Sequence, residues 1–236
     1  MRVGIVGQMT RLIPALLMLF MAAACASSPA PTRVGVYNPR FEEPPPSPAM
    51  PVPGTLQPNA YLQVCGGMTV SNSPVAYPGG WVEDFRPIIV VNGVVLVTVP
   101  TNDACLSSGF GIRGGTFHEG IDLTHRPAGP VYAAAPGRII EARMSSGYGL
   151  QVLIDHGNGV YTRYAHLAYL DPGVAVGQQI NYGRPVGMMG QTGNAQAIHL
   201  HYEILTGNYH NPKGSKGLQV RDPFSFPAYD YLFAGS

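Results

Sequence analysis

The chain has 236 residues, of which 45% are hydrophobic and only 11% charged, with a formal net charge of +1. That balance supplies neither a basic field for nucleic acid nor an acidic tail. The 30 glycines and 23 prolines exclude a fold of long helices and favour turn-rich β structure.

Arg2 and Arg11 precede "LIPALLMLFMAAAC", an apolar run short for a bilayer span and suited to a signal-peptide core. It ends in Ala22-Ala23-Ala24-Cys25, which resembles a bacterial lipobox, although Ala22 stands where leucine is commonest. Residues 1–24 are therefore expected to be a lipoprotein signal peptide, with Cys25 lipidated and anchored in a membrane. An ordinary secretory signal is the alternative, and Met9 also opens a complete signal of its own. Each version implies export to the cell envelope, in a periplasmic location. Ala26 after the cysteine resembles lipoproteins sent to an outer membrane.

Residues 25–58 are crowded with proline and serine, which favour extended conformations without paired backbone, so they read as a flexible tether. Residues 59–105 read as a small β extension. Within it "RPIIVVNGVVLVTVP" sets two β-branched runs around Asn92-Gly93, a pair that tolerates the positive φ angles of a type I′ hairpin turn. Cys65 and Cys105 are the cysteines left after export, and an even pair in an oxidising compartment predicts one disulfide.

Residues 106–236 form the main domain. Strand candidates follow one another as "PVYAAA", "GRIIEAR", "LQVLID", "VYTRYAHL", "QQIN", "PVGMMG" and "HLHYEIL", separated by Gly, Asn, Pro and Asp turns. "LQVLIDHGNGVYTRYAHL" reads as a hairpin turning over residues 157–159. The fold class is all-β, with an antiparallel sheet core large enough to bury a hydrophobic centre.

Seven histidines occur. In "AIHLHYEIL", His199 and His201 are two residues apart on a strand and so share a face, about 7 Å apart. Solvent-facing polar residues would explain an isolated pair of this kind. "FHEGIDLTH" adds His118 and Asp122, which a straight strand would hold about 13 Å apart; Gly120 suggests a bend there. A helix through this segment would make Glu119 a general base, but Gly120, Ile121 and nearby Pro127 argue against it. Glu119 is expected not to be catalytic. "RYAHL" contributes His166.

At these stretches, together with "SSGFGIRGG", "PVYAAAPGRII", "SGYGLQVLIDHGNGVYTRYAHL" and "VGQQINYGRPVGMMGQTGN", the sequence resembles the lysostaphin and LytM-type zinc endopeptidases that cut peptidoglycan cross-links. The motifs stand in the family's order over residues 107–205. The resemblance implies a duplicated β-hybrid fold with long loops and one zinc ion per chain. Its metal triad falls on His118, Asp122 and His201, and its two further catalytic histidines on His166 and His199. Peptidoglycan peptide stems are the implied substrate. Relatives that have lost their metal ligands instead activate cell-wall amidases or scaffold division machinery, but all five polar positions are present here. A structural lipoprotein joining envelope to wall would need none of them.

The other residues near these motifs have plainer expectations. His156 reads as a structural turn residue, and His125 and His210 as solvated. By strand parity Tyr164 shares the face of His166, with packing as its expected role. Arg113 is a candidate substrate contact. Leu150 replaces a frequent asparagine and Ile198 a frequent proline of the family, changes that bear on cleft shape rather than on ligands.

Overall fold

A computed structural model describes residues 55–66, 72, 74, 76–210 and 214–229. The signal segment, Cys25 and most of the tether lie outside these residues. The tether was expected to reach residue 58, yet Leu56 is buried in the main core and Gln57 N–H donates to Asn102 Oδ1 at 3.0 Å. An apolar side chain at Leu56 gives this end of the Pro-rich stretch an anchor that composition alone conceals.

Among the described residues there is no α-helix, only a 3-10 turn at Gly214–Gly217, and the named strands pair with one another antiparallel, while an isolated bridge from Val64 to Leu106 is parallel. The all-β expectation holds. In chain order the strands are β1 (Ile88–Val91), β2 (Val94–Val97), β3 (Cys105–Ser108), β4 (Gly111–Arg113), β5 (Thr116–His118), β6 (Ile121–Thr124), β7 (Pro130–Tyr132) and β8 (Gly137–Ser145). They continue with β9 (Gly149–Asp155), β10 (Val160–Leu167), β11 (Tyr169–Leu170), β12 (Gln179–Ile180), β13 (Pro185–Met188), β14 (Leu200–Thr206) and β15 (Gln219–Arg221). No helix among the described residues is long and apolar enough to cross a membrane.

The main sheet runs β12-β8-β9-β10-β14-β6-β3, with β15 added to β14. β6 pairs with the first half of β14 and β15 with the second half, so the two share one strand edge. β7, β13 and β11 form a smaller sheet, and β4-β5 a separate hairpin. Alternation along β14 decides which side chains reach the core. Leu200, Tyr202 and Ile204 join the large apolar cluster, fully buried, each worth about 1.5–3 kcal/mol in removed apolar surface. His201 and Glu203 therefore point to the opposite face.

The β1-β2 hairpin turns through Asn92 at φ 46° and Gly93 at φ 81°, as Asn-Gly demands of a type I′ turn. Its Ile89 and Leu96 enter the same core as the main sheet, so the N-terminal extension is packed rather than appended. Cys65 and Cys105 form a disulfide, and Cys65 N–H donates to Leu106 O at 3.0 Å. The extension is thereby fastened along β3, the strand next to β6.

Candidate metal centre

β5 ends at His118 and β6 begins at Ile121, so the bend expected at Gly120 is a break between two strands. Gly120 lies against the backbone of Tyr202, whose carbonyl oxygen a Cβ would run into. The break brings His118 Nε2 to 3.0 Å from Asp122 Oδ1. Asp122 and His201 are direct cross-strand partners, and His201 Nδ1 lies 2.9 Å from the same oxygen. The third side of the triangle, His118 Nε2 to His201 Nδ1, is 3.1 Å. These three ligand-type groups are all buried.

The hydrogen bonds on the far side of each ring show what the triangle is made of. His118 Nδ1–H donates to Gly109 O at 2.6 Å, and His201 Nε2–H donates to Glu203 Oε1 at 3.1 Å. With both rings neutral, the two inner nitrogens would be lone pairs facing a carboxylate oxygen. Three acceptors at this separation repel unless a cation sits among them. A proton on one ring relieves only its own contacts; a divalent ion relieves all three. Donors about 2.0–2.1 Å from a tetrahedral zinc stand about 3.3 Å apart, close to the observed triangle, so these residues fit that metal.

The Asp122 and Glu203 carboxylates draw positive charge to this point, whether carried by a metal ion or by protons on the rings. Burial alone would raise the Asp122 carboxyl, but hydrogen bonds from His118 and His201 outweigh it and hold the group far below the usual carboxylate range. Burial works against a charged His201, yet Asp122 and Glu203 raise it to about 9. Arg113 NH1 donates to Asp122 Oδ2 at 3.1 Å and to Ser108 Oγ at 2.7 Å. The outer carboxylate oxygen is thereby occupied, and Oδ1 alone faces the rings.

His166 and His199 stand beside the triangle, their rings 4.8 Å apart. Each has Nδ1–H committed to a backbone carbonyl, Thr192 O for His166 and Ala197 O for His199, both at 2.8 Å. Each Nε2 is consequently the free nitrogen, and that of His199 lies 3.6 Å from Asp122 Oδ1. Burial, helped by neighbouring His199 and His201 and opposed by the Thr192 hydrogen bond, pushes His166 down to about 4. It is a neutral proton acceptor at physiological pH.

His166 reaches this face against strand parity. β10 loses register with β9 between Tyr164 and Leu167, and His166 adopts φ 61°. Such a bulge re-aims a side chain. Tyr164, expected on the His166 face, points instead into the core, fully buried, with its hydroxyl accepting from Ala134 N–H at 2.8 Å. Its expected packing role stands, but the parity argument does not.

The five residues line a cleft of ≈ 800 Å³, with Arg113, Phe117, Tyr148 and Ile198 on its walls. Glu119 also lines it, exposed, and accepts from Tyr148 O–H at 2.6 Å. Burial, then the Glu203 and Glu119 carboxylates, push the Tyr148 phenol far up and keep it a donor. His156 sits elsewhere, between Pro136 O and Thr162 Oγ1. His210 is exposed and His125 half-buried against Pro127 O.

Sequence reasoning missed the support behind His201. Glu203 is wholly buried, and its Oε2 accepts from Arg163 Nε at 2.8 Å. Arg163 also donates to Gln151 Oε1 at 2.7 Å and stacks 4.2 Å from the Tyr148 ring. The signal was present in "HLHYE", since a strand that aims His199 and His201 at one face aims Glu203 there too.

Residues 116–212 match peptidase family M23. Over 88 residues the chain is 36% identical to the peptidoglycan DD-endopeptidase ShyA of Vibrio cholerae, covering 37% of this chain and 20% of that protein. Over 118 residues it is 35% identical to lysostaphin of Staphylococcus staphylolyticus, covering 49% and 23%. The solved catalytic domain of the antimicrobial peptidase lysostaphin from Staphylococcus simulans is similar with a TM-score of 0.44 at 29% identity, over 52% of this chain and 90% of that one. The match thus spans 20% to 23% of the length of the two curated relatives.

Proposed function

From the match of residues 116–212 to peptidase family M23, we propose that this chain is a zinc-dependent endopeptidase that hydrolyses peptide cross-links of bacterial peptidoglycan. It does so as an exported protein held to a membrane through lipidated Cys25. The observation that carries the reading is the buried triangle of His118, Asp122 and His201, whose inner donors all lie within 4.8 Å of one another. The named activities of ShyA and lysostaphin support peptidoglycan as the substrate class.

In this reading His118 Nε2, Asp122 Oδ1 and His201 Nδ1 hold the ion. The chemistry a zinc ion supplies there is Lewis acidity toward a peptide carbonyl and activation of water near neutral pH. His166 and His199 present Nε2 to the cleft and between them accept and return one proton as the peptide bond breaks. Their backbone-held Nδ1–H groups keep both rings from turning away. Arg113 keeps Asp122 in place through its second oxygen, and Phe117 and Ile198 offer apolar walls to the peptide.

A chain that only binds and activates amidases would not need five convergent polar groups. Digestion of purified sacculi with and without chelator, with released fragments identified by mass spectrometry, tests the reading. Cross-linked dimers should fall to monomers, and chelator should prevent it. His201→Ala should lose zinc and hydrolysis together. A zinc-loaded wild-type chain that leaves all cross-links intact would instead support the binding role.

A further inference from the structure

Three of the four imidazoles at this site are oriented by backbone carbonyls, of Gly109, Thr192 and Ala197. His201 is the exception. Its outer nitrogen meets a side chain, Glu203, which is wholly buried and accepts from His201 Nε2–H at Oε1 and from Arg163 Nε–H at Oε2, with the Tyr148 hydroxyl as a further neighbour. Arg163 is 5% exposed in its side chain and is fixed in turn by Gln151 Oε1 and the Tyr148 ring. Gln151 donates onward to Glu141 Oε2 at 2.9 Å, which also accepts from Arg143.

We propose that the buried Arg163–Glu203 pair is the positioning device of the metal centre, locking His201 as the Nε2–H tautomer so that Nδ1 faces the cation. The inference rests on the zinc-binding reading above. A buried ion pair is a poor source of stability, because desolvation offsets most of its attraction. A purely structural role would be served as well by two apolar side chains. What apolar side chains cannot do is accept the Nε2 proton. A carboxylate in that place also makes the ring a stronger donor to the metal than a neutral acceptor would.

The arrangement makes a sharp statement about glutamine. In Glu203→Gln only one oxygen remains, and two donors, His201 Nε2–H and Arg163 Nε–H, compete for it. If Arg163 wins, the amide NH2 faces His201 and forces the proton onto Nδ1, the nitrogen the metal needs. Removing the competing donor should return the oxygen to His201. Arg163→Met/Glu203→Gln therefore carries a working acceptor, whereas Arg163→Met/Glu203→Met fills similar space without one.

The test is zinc affinity of the full chain, measured by competition with a chromophoric chelator, with the absorption spectrum of the cobalt-loaded form as a second readout. Melting in excess chelator reports the fold without metal. Glu203→Gln should bind zinc about 10–100-fold more weakly than wild type, and the Met/Gln double variant should recover at least about tenfold over the Met/Met double variant at similar chelator-treated melting temperature. Should Glu203→Gln not fold, the comparison of the two double variants, neither holding a buried charge at these positions, decides the matter alone. Equal zinc affinity in the two double variants overturns the positioning role while leaving the enzyme reading intact. A wild-type chain that takes up no zinc removes both.

Discussion

His118 and Asp122 stand four residues apart, yet Nε2 of one lies 3.0 Å from Oδ1 of the other because the chain breaks between β5 and β6 at Gly120. The break depends on a residue without a Cβ, packed against Tyr202 O. Tyr202 is neighbour to His201, so a push there moves two ligands at once. Gly120→Ala should lower stability by about 3 kcal/mol through forced overpacking, or about 6–12 °C in melting temperature for a chain of this size. It should also lower zinc content. Thermal melting and metal analysis of the same preparation check both outcomes.

His166 makes no contact that the triangle needs. Its Nδ1–H goes to Thr192 O, and its Nε2 is free. Removing the ring should therefore spare the metal and remove a proton acceptor. His166→Ala should keep about one zinc per chain while kcat on cross-linked stem peptides falls about 10²–10⁴-fold. The same split is expected of His199→Ala. A variant that loses zinc along with turnover would place that ring among the ligands.

Much of this site was legible in the residues. Alternation in "HLHYEIL" put His199 and His201 on one face, and Gly120 announced a bend between His118 and Asp122. Asn92-Gly93 named its own turn. Two features were not legible, for different reasons. His166 reaches the cleft only through a bulge and a φ of 61°, a backbone state that a non-glycine residue in "RYAHL" does not advertise. The Arg163–Glu203 pair joins residues 40 apart on neighbouring strands, and partners across strands emerge only once register is fixed. Leu56 failed as a tether residue for a similar reason, since its anchor lies in a core assembled from distant strands.

The disulfide yields a prediction about stability rather than chemistry. Cys65 and Cys105 close a span of 40 residues, and loop-closure entropy for that length is about 4 kcal/mol. The bridge pins the 62–65 segment along β3, one strand removed from the metal triangle. Cys65→Ser/Cys105→Ser should melt about 8–16 °C lower yet still bind zinc, because β6 and β14 keep their own pairing. Calorimetry with and without reductant checks the wild-type chain in the same way.

His156 provides a pH dependence away from the metal. Its Nδ1–H donates to Pro136 O and its Nε2 lies 2.7 Å from Thr162 Oγ1, itself 2.9 Å from the Tyr164 hydroxyl. Burial lowers the pKa of this ring below its ordinary value, outweighing the Pro136 hydrogen bond and the Asp155 charge that favour protonation. The sign follows from linkage: the unfolded chain titrates at about 6.5 and the folded one lower, so between those values the unfolded state binds more protons. The contribution of His156 to stability is complete above about pH 6.5 and is lost as pH falls through the folded pKa. His156→Gln, which cannot titrate, should melt lower than wild type at pH 7.5, and the gap should narrow at pH 5.5. A gap that stays constant on acidification would mean that folding leaves the affinity of this ring for its proton unchanged, and one that widens would mean that the folded chain holds the proton more tightly, with Thr162 serving the ring as an acceptor rather than a donor.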